Sequence, residues 1–141
     1  MQRNRIVIDC DPGIDDTFAL ILCIKKLDVA GIVAVGGNTG LQFTSRNARY
    51  VTELTGRTDI PVYAGYDQPM LGNAVRAEYV HGVGGLGDLD IPEPKKQLEN
   101  EHGVDFLIRT FMNEDDVSLV AIGPLTNVAQ ALLKEPELKK R

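Results

Sequence analysis

This 141-residue chain is poor in three things, and each shortage removes a class of function. Basic residues are outnumbered, 15 Lys and Arg against 20 Asp and Glu, for a formal net charge of −5. A nucleic-acid surface needs a basic excess, so no nucleic-acid partner is expected. The one basic cluster, Lys139-Lys140-Arg141, reads as a solvated helix end. Long apolar runs are missing as well. None approaches the roughly 20 residues of a membrane span, and Met1-Gln2-Arg3-Asn4-Arg5 leads into a strand, so neither membrane attachment nor a signal peptide is expected. Cysteine is scarce: Cys10 and Cys23 lie in apolar segments without metal-type spacing. That excludes a disulfide framework and leaves two reduced core thiols, as in a cytoplasmic protein. With no internal repeat and no low-complexity linker, residues 1–141 read as a single domain long enough to bury a core.

What the chain does have is acid, concentrated in one place. Asp9-Cys10-Asp11-Pro12-Gly13-Ile14-Asp15-Asp16 puts four aspartates in eight residues, directly after the apolar run Ile6-Val7-Ile8. Carboxylates this close repel one another unless a cation sits among them, and a hard cation such as Ca²⁺ or Mg²⁺ uses oxygen ligands. Side chains alternate along a strand, so Asp9 and Asp11 point to one side as the strand ends. Pro12-Gly13 then forces a turn. The apolar recurrence at Ile14, Phe18, Ile21, Leu22 and Leu27 indicates a helix, with Asp15 and Asp16 in its first turn, where the dipole favours negative charge. Asp11 and Asp16 can then meet on one ion across the turn, leaving Asp15 beside it to handle a proton. In the plainer reading Asp15 and Asp16 are only helix-start charges and Asp9 or Asp11 a cap, but capping uses one or two acids, not four.

The remaining chain alternates strand and helix. Val- and Ile-rich strand segments are expected at residues 5–10, 29–36, 61–64 and 117–122, with helical patterns at 15–27, 41–55, 101–113 and 125–134. Such alternation predicts an α/β fold, an open, mainly parallel Rossmann-like sheet with helices on both faces. The Gly- and Pro-rich stretch 65–94 fits no element, and loops of that length are usually functional. Ligands of open α/β sheets bind beyond the carboxyl ends of the strands. Polar residues gather at those ends: the Asp cluster, Gly36-Gly37-Asn38-Thr39, and Ile122-Gly123-Pro124-Leu125-Thr126-Asn127. Singly each is weak. Gly-Asn is equally a turn, Thr126-Asn127 equally a helix start, and His81 before Gly82 equally a loop residue. His102, beside Glu101, reads as a surface or capping residue.

Taken in order, the Asp cluster, Val35-Gly36-Gly37-Asn38-Thr39, Asn47-Ala48, His81-Gly82 and Gly123-Pro124-Leu125-Thr126-Asn127 resemble the inosine–uridine-preferring nucleoside hydrolases. The resemblance implies Ca²⁺ held by Asp11, Asp16 and the backbone carbonyl of Ile122, with Asp15 as general base and Asp9 in support. It further implies that Asn38 contacts substrate near the ribose and the attacking water, and that His81 lies near the nucleobase. The substrate would be a ribonucleoside and the assembly a dimer or tetramer. This chain corresponds to the N-terminal part of such an enzyme. A fourth metal-binding Asp, an Asn/Glu set for the ribose and a catalytic His, which the family places later, have no counterpart here, so the site is expected to be incomplete and the fold truncated. In that case the fourth strand would be an unpaired edge. Two alternatives remain. One is a remnant that binds metal or nucleoside without turnover. The other is a Mg²⁺-dependent phosphatase of the haloacid-dehalogenase type, whose Asp-x-Asp also follows the first strand, although its usual Thr or Val two residues after the second Asp is Gly13 here.

Overall fold

A computed structural model describes residues 5–141, so Met1 to Asn4, read above as a lead-in rather than a signal peptide, lie outside the described residues. The elements run β1 (Arg5–Cys10), α1 (Ile14–Lys26), β2 (Asp28–Ala34), α2 (Leu41–Leu54), β3 (Val62–Ala64), α3 (Glu78–His81), α4 (Gly103–Asn113), β4 (Val117–Ala121) and α5 (Thr126–Lys134), closed by a 3₁₀ turn at Pro136–Lys140. The strands form one four-stranded sheet in the order β3-β2-β1-β4, and every pairing is parallel. The expected α/β class and parallel sheet are what the chain adopts.

Period-two alternation in β1 explains the two layers. Ile6, Ile8 and Cys10 face one way and pack with Leu20 and Ile24 of α1 and Ala48 and Val51 of α2. Val7 faces the other way, with Val33 and Tyr63, against Val104, Phe106 and Leu107 of α4 and Ala131 of α5. Tyr63 and Phe106 stack with ring centroids 4.0 Å apart. A side chain on Gly31 of β2 would sit 2.6 Å from the Phe106 ring, so a glycine there lets α4 close on the sheet. Both cysteines are free, Cys10 fully buried and Cys23 partly so.

Boundaries differ from the sequence reading for identifiable reasons. Strand β2 ends at Ala34, and the next two amides bond outward to Cys10 O and Tyr66 O, which aims the chain into the loop at its end. Helix α4 starts at Gly103 because His102 is its cap, the imidazole Nδ1 accepting from Val104 N at 3.2 Å. Helix α5 begins at Thr126, one residue later than read, and stops at Lys134 as read, just before the Glu135-Pro136 pair, since a proline biases its predecessor away from helix.

Helix α1 buries a face that the apolar recurrence alone does not mark. Ile14, Phe18 and Leu22 carry the helical period yet are exposed, while Leu20, Ile24 and Asp16 are buried. Two apolar stripes share this helix, and the sheet takes only one of them. Strand β4 bonds to β1 alone and is an edge strand among the described residues. Among those residues no helix is long and apolar enough to cross a membrane.

Candidate functional site

The carboxyl end of β1 enters the turn Asp11-Pro12-Gly13, and α1 begins at once, so three aspartates are drawn into the protein. Asp9 is 0 %, Asp11 5 % and Asp16 4 % exposed, whereas the Asp15 side chain is 80 % exposed. Asp11 and Asp16 lie against each other. Asp11 N donates to Asp16 Oδ1 at 3.3 Å, and Asn38 joins both residues. Its amide N donates to Asp11 Oδ2 at 2.7 Å, its Nδ2 to Asp11 O at 3.0 Å, and the same Nδ2 lies 3.5 Å from Asp16 Oδ2. Asn38 is therefore no mere turn residue.

Glycines make the cradle possible. A Cβ on Gly37 would lie 2.1 Å from Asp11 Oδ2, and one on Gly123 would lie 2.9 Å from Asp11 Oδ1. The Asp11 carboxylate thus fits between the ends of β2 and β4 only because both are bare backbone. Gly13 is equally confined, its missing side chain leaving space 2.7 Å from His81 Nδ1 and 2.8 Å from Asn38 Nδ2.

His81, at the end of α3, reaches the same place from 67 residues away: Ile14 N donates to its Nδ1 at 3.1 Å. Gly13, the N-cap of α1, has no side chain to offer, and His81 caps the helix in its stead. Since Nδ1 accepts that bond, the ring proton of the neutral imidazole belongs on Nε2. Asp15 Oδ1 is 4.0 Å from the ring nitrogen. Ile122, just past β4, is tied down through its amide, which donates to Asp9 O at 2.9 Å.

Two buried asparagines complete the frame, and both were faint in the sequence. Asn47, inside α2, donates through Nδ2 to Pro12 O at 2.9 Å and Gly84 O at 2.8 Å, joining the Asp turn to the loop after His81. Asn127, at the start of α5, donates to Asp9 Oδ2 at 2.9 Å. The usable signal was a polar residue at an otherwise core-facing helix position, which only the tertiary pairing explains.

Electrostatics favour a cation here. Among the described residues, no Lys or Arg pairs with Asp9, Asp11 or Asp16. Burial, and then the charges of Asp11 and Asp15, push the Asp16 carboxyl from its ordinary 3.8 up to about 7. Burial raises Asp9 to about 7 as well, opposed by the Asn127 hydrogen bond. It raises Asp11 too, against the bond from Asn38 N. Among the described residues no three His, Cys, Asp or Glu side chains gather tightly enough to hold an ion alone. The donor set, two carboxylates with backbone oxygens nearby and no sulfur or nitrogen ligand, fits a hard cation whose other positions are filled by solvent, substrate or further protein.

The raised carboxyls imply a pH effect on the ion-free chain. A folded-state pKa above the unfolded one gives stability that is present below about pH 4 and lost as pH rises through about 7. Thermal melts in chelator are therefore expected to show a higher Tm at pH 5 than at pH 8, with added Ca²⁺ narrowing the gap. A chelated Tm that rises from pH 5 to 8 contradicts this picture of the site.

The model of the inosine-uridine preferring nucleoside hydrolase family matches residues 6–141. The chain belongs to this family. A probable uridine nucleosidase 2 of Arabidopsis thaliana is 38% identical over 99% of this chain and 45% of its own length. A pyrimidine-specific ribonucleoside hydrolase of Escherichia coli is 39% identical over 98% of the chain and 45% of its own. Among solved structures, a purine-preferring ribonucleoside hydrolase from Gardnerella vaginalis superposes with a TM-score of 0.90 at 32% identity, covering 96% of this chain and 45% of that one. The chain thus spans a little under half the length of these relatives. Family membership displaces the haloacid-dehalogenase alternative.

Proposed function

We propose that this protein contributes to the Ca²⁺-dependent hydrolysis of the N-glycosidic bond of ribonucleosides, giving ribose and the free base. One observation carries the reading: Asp11 and Asp16, buried without a basic partner, are joined by Asn38 where an exposed Asp15 stands alongside. Asp11, Asp16 and the Ile122 carbonyl are the residues that would hold the ion, with Asp9 supporting them from behind. When bound, Ca²⁺ supplies positive charge that orients the ribose hydroxyls and acidifies water at the site.

The chain's own groups account for the proton movements on the sugar side. Water attacks C1′ as the C1′–N bond breaks, through an oxocarbenium-like state of the kind general to glycoside cleavage. The bond's electron pair leaves with the base, whose nitrogen takes a proton from solvent while Asp15 later returns its own to solvent. Asp15, exposed and free to reach substrate, takes the proton from the attacking water. Asn38 holds the carboxylates in register and contacts the ribose side of the substrate. His81, locked to the start of α1, forms the wall toward the nucleobase. The names of the relatives span purine and pyrimidine substrates, so the proposal is confined to the ribose end.

Two carboxylates and one carbonyl fall short of the six to eight oxygens Ca²⁺ takes. We therefore propose that full activity draws on groups outside these 141 residues, whether further sequence or an associated chain. Homo-oligomerisation is consistent with the exposed stripe Ile14, Phe18 and Leu22. The unpaired thiols of Cys10 and Cys23 suit a cytoplasmic setting.

The test is ribose release from inosine and uridine by this chain, in chelator and after Ca²⁺ return, with folding followed by circular dichroism. Release that is weak but restored by Ca²⁺ is the expected result. A folded chain that binds Ca²⁺ but releases no ribose at any concentration would reduce the protein to an ion- and nucleoside-binding piece. Release indifferent to the ion would refute the role of the carboxylate pair.

A further inference from the structure

The second residue of α5 does more than open a helix. Asn127 is fully buried, and its amide tip uses both donors and an acceptor. Nδ2 donates to Asp9 Oδ2 at 2.9 Å and to Ala34 O at 3.3 Å, while Oδ1 accepts from Tyr66 N at 2.9 Å. It therefore holds the ends of β1 and β2 and the exit from β3 at one point. Gly65 leaves it room, since a Cβ there would lie 2.3 Å from the amide.

Asp9 receives the chain segment 122–127 at both ends. Its carbonyl accepts from Ile122 N at 2.9 Å, and its carboxylate accepts from Asn127. Between those anchors Gly123 is pressed against Asp11, its would-be Cβ 3.0 Å from Asp11 N. The other carboxylate oxygen, Asp9 Oδ1, is buried and has no hydrogen-bond partner among the described residues. Asn127 is thus the only side chain among them that fixes the Asp9 carboxylate.

We propose that Asn127 is a positioning residue: by closing the 122–127 segment onto Asp9, it sets the Ile122 carbonyl against Asp11 and Asp16. This rests on the ion-binding reading above and extends it to a residue outside the ion's own ligands. The residue type follows from the geometry. Asp has no donor for Asp9 or Ala34, Ser cannot serve three partners at once, and Leu would leave all three unsatisfied.

Tb³⁺ luminescence titration of the whole chain, with Ca²⁺ competition, reads the effect without relying on turnover. Asn127→Asp is expected to weaken ion binding about tenfold or more, the size usual for groups that orient metal ligands, with far-UV circular dichroism unchanged. The exchange Asp9→Asn with Asn127→Asp restores a donor–acceptor pair in reversed sense and should recover most of the affinity. Recovery is what a merely destabilising substitution would not give. Unchanged affinity in folded Asn127→Asp, or no recovery in the exchange, overturns the proposal. Should Asn127→Asp not fold, Asn127→Ser is read in the same way; failure of both to fold makes Asn127 a folding residue and also overturns it. A wild-type chain that binds no ion removes the reading of the site itself, a different failure from loss of the clamp alone.

Discussion

Asp16→Asn is expected to weaken ion binding severely while making the ion-free protein more stable. Calcium affinity is tuned over several decades by the number of ligand charges, so removing one of two carboxylates should weaken binding about 100-fold or more. The stability change has the opposite sign because the native side chain is burdened by its own charge. Burial and the neighbouring Asp11 and Asp15 hold its carboxyl near 7 instead of 3.8. Each unit corresponds to about 1.4 kcal/mol, so the ionised group costs the ion-free fold on the order of a few kcal/mol at pH 8. An amide keeps the Oδ1 acceptor for Asp11 N and gives up only the long 3.5 Å approach to Asn38. A gain of roughly 5 °C or more in Tm is expected in chelator at pH 8, shrinking at pH 5 where the carboxylate is already protonated. Calorimetry with and without Ca²⁺ checks both halves. A variant that loses Tm in chelator and still binds the ion would show that Asp16 is a structural acid.

That inversion of stability and binding also explains why this part of the chain was so legible. Four acids in eight residues are a local anomaly, and three of them are buried without a basic partner, which is the arrangement the proposed cation would relieve. The alternation Ile6-Val7-Ile8 was equally plain, because a strand covered on both faces must send apolar side chains both ways. What the sequence could not show was chosen by distant partners. Helix α1 carries a second apolar stripe, Ile14, Phe18 and Leu22, which the sheet leaves exposed; periodicity gives the helix, but not which stripe wins.

The stretch 65–94 is ordered by bonds whose partners lie far along the chain. Asp67 Oδ1 accepts from Leu41 N at the start of α2 at 2.7 Å and pairs with Arg76. Ala77 N donates to Asn38 O at 2.8 Å. Arg49, nearly buried, spans to Glu93 and to Lys96 O. None of these contacts has a local pattern. They nonetheless decide the site, because they bring His81 to Ile14 N and place Gly84 O on Asn47. His81 was therefore readable as a candidate but not as the cap of α1. Asn127 was readable as a helix start but not as the partner of Asp9.

Asp15→Asn separates ion holding from proton transfer. Asp15 is the one aspartate of the cluster left in solvent, its side chain 80 % exposed, beside two acids that are buried and engaged with Asn38. A group so placed contributes little to the fold and is free to move against a substrate. If it accepts the proton of the attacking water, its loss removes general-base catalysis, typically about 10²–10⁴-fold in rate. Ribose release by this chain, measured at high protein concentration, should therefore fall toward the uncatalysed background. Tb³⁺ affinity should change far less than in Asp16→Asn, since Asp15 shapes only the surrounding field. Its effect on the chelated Tm should be a small rise, well below that of Asp16→Asn, because it removes only the repulsion that Asp15 exerts on Asp16. Equal losses of ion affinity and rate in Asp15→Asn would make it a third ligand instead of the base. An unchanged rate would assign the proton to solvent. The pair of variants thus tests the proposed division of the cluster, in which the buried acids hold charge and the exposed one moves a proton.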